Sequence, residues 1–243
     1  AEISSYLKGY NDPRIASYFV KAKNNGIEGY YAVRTNIPTT DDYLDKAKSS
    51  SLNVQDGTPI YIMKASEVYF LRAEGALRGW NMGGGTAQSY YEKGIATSFE
   101  ENDLSASQAA AYAANSTATP ANFVDALHSE YDTPATSTIT IKWETGATNF
   151  ERNLERIITQ KYLAIYPDGQ EAWSEYRRTG YPRIFPAVLT ATDCDVDGDL
   201  RPTRIPYSND EYIKNLANVK KAVQLLHGAD NGATRLWWDK KVK

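Results

Sequence analysis

The chain has 243 residues, a net formal charge of −3, eighteen tyrosines, five tryptophans and one cysteine, Cys194. The length fits one large domain or two small ones. The charge is too small and of the wrong sign for a nucleic-acid surface, one cysteine excludes an intrachain disulfide or a thiolate metal cluster, and no apolar run is long enough to cross a bilayer as a helix.

Residues 1–60 are weakly patterned and read as loops with one or two short helices. The opening AEISSYLKGYNDPR has no basic-then-apolar signal segment. Asn11-Asp12-Pro13 signals a turn, with a helical turn following over 14–19. Residues 26–34 (GIEGYYAVR) read as a hairpin or a loop carrying Tyr30 and Tyr31.

Residues 60–79 carry the strongest helical pattern. Ile62, Ala65, Tyr69, Ala73, Ala76 and Trp80 recur at spacings of three and four. Asn81 to Gly85 is a turn, and Thr86 caps a second helix over 87–100. Small residues at the contact make this an αα-hairpin of tetratricopeptide type. The GGGT is not a phosphate loop, because no lysine follows and no strand precedes it. Further helices are expected at 105–114 and, entered through Pro120, at 118–127. Residues 132–148 read as loop, with 138–143 alternating like a short strand or extended edge. Residues 149–166 form an amphipathic helix that turns Phe150, Leu154, Ile157, Ile158, Tyr162 and Ile165 inward.

After Pro167 comes the most fully punctuated stretch, Gly169 to Pro182. Asp168 and Glu171 stand at N-cap and third helical position. Trp173 and Tyr176 share a face. Arg177 and Arg178 oppose the helix dipole at its C-terminal end, and Gly180, Tyr181 and Pro182 stop the helix. The paired arginines are read as ties to distant carboxylates rather than as a ligand clamp. Residues 192–204 form an acidic loop, and Arg204-Ile-Pro-Tyr207 is extended. Ser208 and Glu211 repeat the capping-box spacing before a final helix that buries Ile213, Leu216, Ala217, Val223 and Leu226. Trp237 and Trp238 in the tail are expected to plug onto the body, with Trp173 and Trp237 buried.

Several of these stretches together resemble a known family. SEVYFLRAEGALRGW (66–80), ITQKYLAIYPDGQEAWSEYRRTGYP (158–182), RIPYSNDEYIKNLANV (204–219) and LWWDKK (236–241), with NDPRIASYF (11–19), resemble the C-terminal half of the SusD/RagB family, in matching order. The resemblance implies a mostly α fold of tetratricopeptide-like helix pairs with long irregular loops and minor β structure. It implies that residues 1–243 are the C-terminal part of a single SusD-like domain. It further implies an outer-membrane, surface-exposed lipoprotein of Bacteroidetes. Its N-terminal lipid anchor would belong to a part of the family that this chain does not represent. Such proteins form a lid over a TonB-dependent, SusC-like transporter and bind an oligosaccharide or peptide nutrient without being enzymes.

Glycan binding requires an exposed flat ring with polar partners beside it. Tyr30 with Tyr31, Trp80 with Asn81, and Trp143 meet that description by placement. Asp193, Asp195, Asp197 and Asp199 alternate around Gly198 as in a calcium loop, although Arg204 stands where the bidentate Glu is normally found. Catalysis has little support. His128 and His227 stand alone, and no GxSxG, HExxH or dinucleotide fingerprint occurs. A helical glycoside hydrolase using paired carboxylates is the rival class. Glu67, Glu74, Glu171 and Glu175 are helical, but neighbouring arginines make Glu175 a poor general acid. A helical-repeat scaffold that only presents a surface to another protein is the third reading.

Overall fold

A computed structural model describes residues 1–38, 40–45, 47–188 and 202–239 of the protein. Its centre is an αα-hairpin of α4 (Ala65–Leu77) and α5 (Ala87–Glu100). Thr86 caps α5, its Oγ1 accepting from the Ser89 amide at 3.1 Å. Gly94 makes the close crossing possible, since a Cβ there would stand 2.8 Å from the Phe70 ring. A later helix, α7 (Phe150–Ala164), packs across both. On the far side of α5 lies α6 (Ala106–Ala113), started by a reciprocal Ser105–Gln108 capping box. Phe70, Tyr91, Ile95, Phe99, Leu154, Ile157 and Ile158 form the core, each no more than 2% exposed.

The many tyrosines have a common task. Irregular segments must find partners for their backbone carbonyls, and buried phenols supply them. Tyr6 donates to the Arg183 carbonyl, Tyr10 to Ile139 and Tyr91 to Ile141, at 2.6–2.9 Å, while Tyr18 satisfies the Leu163 carbonyl at the C-terminal end of α7 at 2.8 Å. The ring packs in the core while its hydroxyl holds a loop to a helix. Arg14 works the same way from inside. Fully buried, it pairs with Asp12 at 2.6 Å, reaches Ser98 and Gln160, and lies over the Phe99 and Tyr112 rings.

The first sixty residues hold more structure than their pattern announces. They contain α1 (Glu2–Gly9), α2 (Ile15–Tyr18) and α3 (Asp41–Leu44). Among the described residues the only sheet is a hairpin of β1 (Ala22–Asn24) and β2 (Ile27–Gly29), paired Ala22 to Gly29 and Asn24 to Ile27. Asn25 and Gly26 both have positive φ, as a two-residue hairpin turn demands. This hairpin begins upstream of the 26–34 stretch proposed from sequence.

Four expectations need correction. The helix expected at 60–79 starts only at Ala65, and Ile60 and Ile62 are 94% and 97% exposed. The helix expected at 118–127 does not form, because other partners hold its backbone. Ala121 donates to the Ser5 carbonyl and Phe123 bridges Thr133. Residues 138–143 keep a strand's alternation, burying Ile139 and Ile141, but make no ladder. Their carbonyls accept instead from Tyr10, Arg156 and Tyr91. The last helix breaks at Asn215 into α9 (Asn209–Lys214) and α10 (Leu216–Gln224). Ile213, Leu216 and Ala217 face solvent, Val223 and Leu226 are half-buried, and Val219 is the buried anchor. No described helix is long and apolar enough to cross a membrane.

Candidate functional site

The punctuated stretch folds as its residues dictate. It forms α8 (Gly169–Thr179), with Asp168 accepting from the Glu171 amide at 3.0 Å and Gly180 closing the helix at φ 78°. The reciprocal half of the cap is missing, because the Glu171 carboxylate turns to Lys161 at 2.6 Å. Lys161, on α7 and 1% exposed, also meets Glu175 at 2.8 Å and Glu67 at 3.1 Å. Burial alone would lower the ammonium's pKa, but these carboxylates outweigh it and hold it above its usual value. Arg178 continues the network to α4. Its two terminal nitrogens take both Glu74 oxygens, and one also takes Glu175.

Arg177 does a different job. Its guanidinium lies 4.3 Å from the Trp173 ring centre and 5.4 Å from that of Trp238. Trp173 is half-buried and donates to the Pro202 carbonyl at 2.9 Å. Trp238 thus docks as expected, while Trp237 is 83% exposed, against expectation. Arg204, also buried, pairs with Asp230 at 2.6 Å, and Asp230 collects the Tyr207 amide and the Tyr212 hydroxyl as well. Ser208 makes no side-chain cap, and Glu211 accepts from Asn215 instead, so the capping box expected there does not form. Tyr181 and Pro182 are buried behind α8.

The first sixty residues build a pocket. Tyr30, Tyr31, Phe19 and Tyr166 line an open cavity of about 230 Å³ together with Ser4 and Ser50. The hairpin delivers the two tyrosines, and Ser50 clamps Tyr31. The Ser50 hydroxyl accepts from the Tyr31 amide at 3.0 Å, and the Ser50 amide donates to the Tyr31 carbonyl at 2.8 Å. The Tyr31 hydroxyl reaches back to the Ile27 carbonyl at 3.1 Å, so its ring passes over Gly29, where a Cβ would sit 3.2 Å away. Tyr166 packs 5.1 Å from Phe19, and burial raises its phenol pKa. Phe19 and Tyr166 were not singled out in the sequence. Only their distance from Tyr30 in the folded chain makes them neighbours.

The other ring candidates separate. Trp80 is 62% exposed, and beside it the Asn81 side chain accepts from the Gly83 amide, closing its own turn. Trp143 is half-buried and packs on the core, 5.4 Å from Tyr91. Asp193, Asp195, Asp197 and Asp199 lie outside the described residues. Among the described residues no group of three or more His, Cys, Asp or Glu could hold a metal.

A sequence model of the family described as SusD-like, SusD and RagB outer membrane lipoprotein, matches residues 1–239. The chain belongs to the SusD-like family. Solved structures agree. A SusD homologue from Bacteroides thetaiotaomicron is 43% identical with a TM-score of 0.92, covering all of this chain and 52% of its own. A chitin-binding SusD homologue from Flavobacterium johnsoniae is 43% identical with a TM-score of 0.89, covering 99% and 49%. A SusD homologue from Bacteroides ovatus is 37% identical with a TM-score of 0.87, covering 99% and 51%. This SusD-like chain therefore spans about half the length of these relatives. No match is found among curated proteins.

Membership of the SusD-like family accounts for the mostly helical fold and for an outer-membrane location. It also sorts the residues. The motifs that carry the likeness hold Lys161, Glu171, Trp173, Arg178 and Arg204, and the structure spends these on ion pairs and ring stacks. In this SusD-like chain the open aromatic cavity draws Phe19 and Tyr166 from the matching motifs and Tyr30 and Tyr31 from outside them.

Proposed function

We propose that this chain contributes a glycan-contacting surface to a nutrient-binding protein of the outer membrane, with Tyr30 and Tyr31 as the contact. What supports the reading is the pocket itself. Four aromatic rings in one cavity with Ser4 and Ser50 match a sugar, which has apolar C–H faces and polar edges. Tyr31 is fastened through its backbone to Ser50, so little order is lost there on binding. A homologue at 43% identity is described as chitin-binding, which makes N-acetylated oligosaccharides the first probes to try. Calorimetric titration with chito-, cello- and malto-oligosaccharides tests the reading. Saturable binding that Tyr31→Ala weakens at least tenfold is expected. No binding in any series, or binding untouched by Tyr30→Ala and Tyr31→Ala, would reject it.

Binding is proposed to occur without turnover. Of the four helical carboxylates weighed from the sequence, Glu67, Glu171 and Glu175 face Lys161 while Glu74 is held by Arg178, so none of these four is placed to protonate a leaving group. Release of shortened products on prolonged incubation would restore the hydrolase reading. The partner proposed is a SusC-like TonB-dependent transporter, tested by co-purification with and without glycan. Capture that ignores glycan altogether would favour the plain scaffold.

A further inference from the structure

The stretch that leads into α4 is apolar and uncovered. Val54, Ile60, Ile62 and Met63 are exposed, and with Ile165 and Pro167 they line an open groove of about 340 Å³ beside the start of α4. The face continues onto the helix. Ala65, Val68 and Leu71 follow at steps of three, and all three are exposed. The other side of α4, carrying Phe70 and Ala73, is fully buried against α5 and α7. A helix that is apolar on both sides belongs between neighbours on both sides, and α4 has them on one. Towards its C-terminal end the outer side is closed by Met82, which lies over Gly75. From Ala65 to Leu71 it stands open.

We infer that this face is a docking surface for a second pair of helices of the same kind as α4 and α5, supplied by the half of a SusD-like protein that lies outside the match with this chain. The surface does not draw on the tyrosine pocket, so neither proposal falls with the other.

Two observations select the occupant. The first is that the charges at the groove are already taken. Lys64 donates to the Ala164 and Tyr166 carbonyls at 2.9 and 3.1 Å, Glu67 meets Lys161 at 3.1 Å, and Asp168 caps α8. A sugar or an ion would find little to pair with. What a partner can gain here is apolar surface removed from water. The second is length. The solved relatives carry about as much chain again beyond the part that this one matches. Helical hairpins of the tetratricopeptide type bury their faces by stacking on further hairpins. A hairpin stacked on α4 would lay its own apolar stripe on Val68 and Leu71, with the segment that carries Ile60 and Ile62 along its flank.

The test is capture by co-expression. The half of the Bacteroides thetaiotaomicron homologue outside the match is tagged and produced together with this chain. A one-to-one complex is expected, in which the amides of residues 60–63 exchange hydrogen more slowly than in the chain alone. Ile62→Asp and Val68→Asp, both at exposed side chains, should leave the melting of the chain alone unchanged. Each should cut capture by about tenfold or more, because it would bury a carboxylate without a partner. Ile213→Asp, at an exposed position on α9, should leave capture within about twofold of the unaltered chain. Equal capture by all three variants, or no capture by a soluble tagged half, would overturn the proposal. So would a dimer of the unaltered chain in sedimentation that Ile62→Asp abolishes, since the face would then belong to a second copy. Fusing the same half ahead of the chain gives a reading that needs no soluble partner. There Ile62→Asp should lower the melting temperature by about 4 °C or more, against less than about 1 °C in the chain alone. Equal shifts in the two forms would also overturn the proposal.

Discussion

Arg178 grips Glu74 with both terminal nitrogens at 2.6 Å, across 104 residues of chain. Glu74 sits on α4 and is 5% exposed, while the Arg178 side chain is 38% exposed. The pair therefore joins the first helix of the central hairpin to the capped helix that follows α7. It is shielded on one side and wet on the other.

Arg178→Ala strands a buried carboxylate whose remaining partner is Arg78 at 2.8 Å. A loss of about 2 kcal/mol in chemical denaturation is expected, smaller than for a fully buried pair because water reaches the guanidinium. Arg178→Lys should recover only part of it, since an ammonium does not span both oxygens. Arg177→Ala removes stacking on Trp173 and Trp238 and should cost about 1 kcal/mol. Wild-type denaturation midpoints in Arg178→Ala would show that the pair contributes nothing.

Lys161→Met is the complementary experiment. It removes the buried cation while Glu67, Glu171 and Glu175 stay around the site. The cost should be about 3 kcal/mol at pH 7. Glu175→Gln in the Lys161→Met background should recover part of it, because one stranded charge is then gone. No recovery would mean that lost packing, not uncompensated charge, is responsible.

Acid should unfold the protein through identifiable groups. Arg152 first, and then Arg156, hold the Glu144 carboxyl down to about 2, against a smaller opposing effect of desolvation. Burial would raise the Glu74 and Asp230 carboxyls, but their arginine and tyrosine partners outweigh it and depress them. A carboxyl depressed on folding stabilises fully above its unfolded pKa, near 4, and ceases to do so as pH falls through its folded value. Melting temperature should therefore hold down to about pH 5 and decline steadily below it. Glu144→Gln should flatten the part of that decline between about pH 4 and 2. Lys161, raised on folding, acts in the opposite sense, its contribution being lost only above about pH 10. An unaltered acid slope in Glu144→Gln would remove Glu144 from this account.

The central hairpin, α7 and the capped helix α8 were legible because each carries its own local signals of apolar period, cap and stop. Three features were not. The extended 138–143 segment has a strand's alternation, but its ladder is replaced by Tyr10, Tyr91 and Arg156, which come from distant helices. The break at Asn215 falls inside an uninterrupted apolar period, and the Ser208–Glu211 spacing promised a cap that a competing Asn215 contact prevents. In the candidate site Tyr30 and Tyr31 could be named as candidate rings, and both are half-buried. Phe19 and Tyr166 could not, because their membership depends on where the hairpin lands against α7.

Gly94→Ala tests the packing of the central hairpin most directly. The added methyl would stand 2.8 Å from Phe70, a ring with no exposed surface to move into. Helix propensity favours alanine by up to about 1 kcal/mol, so any net loss must come from the crowded crossing. A net destabilisation of about 1–3 kcal/mol is expected. A stabilised variant would show that α4 and α5 can separate without penalty.

Trp80 and Trp143 began as equivalent ligand platforms and now separate into opposite predictions. Trp143 packs against Tyr91 and the core, so Trp143→Ala should cost about 2 kcal/mol and lower affinity for oligosaccharide only as far as it unfolds the protein. Trp80 is mostly exposed, so Trp80→Ala should leave stability within about 0.5 kcal/mol. Any effect of Trp80→Ala on binding would then report contact with ligand. Titration and melting of the two variants in parallel decide the matter. A stable Trp143→Ala protein with lost binding would move the glycan site from the hairpin to the α5–α7 surface.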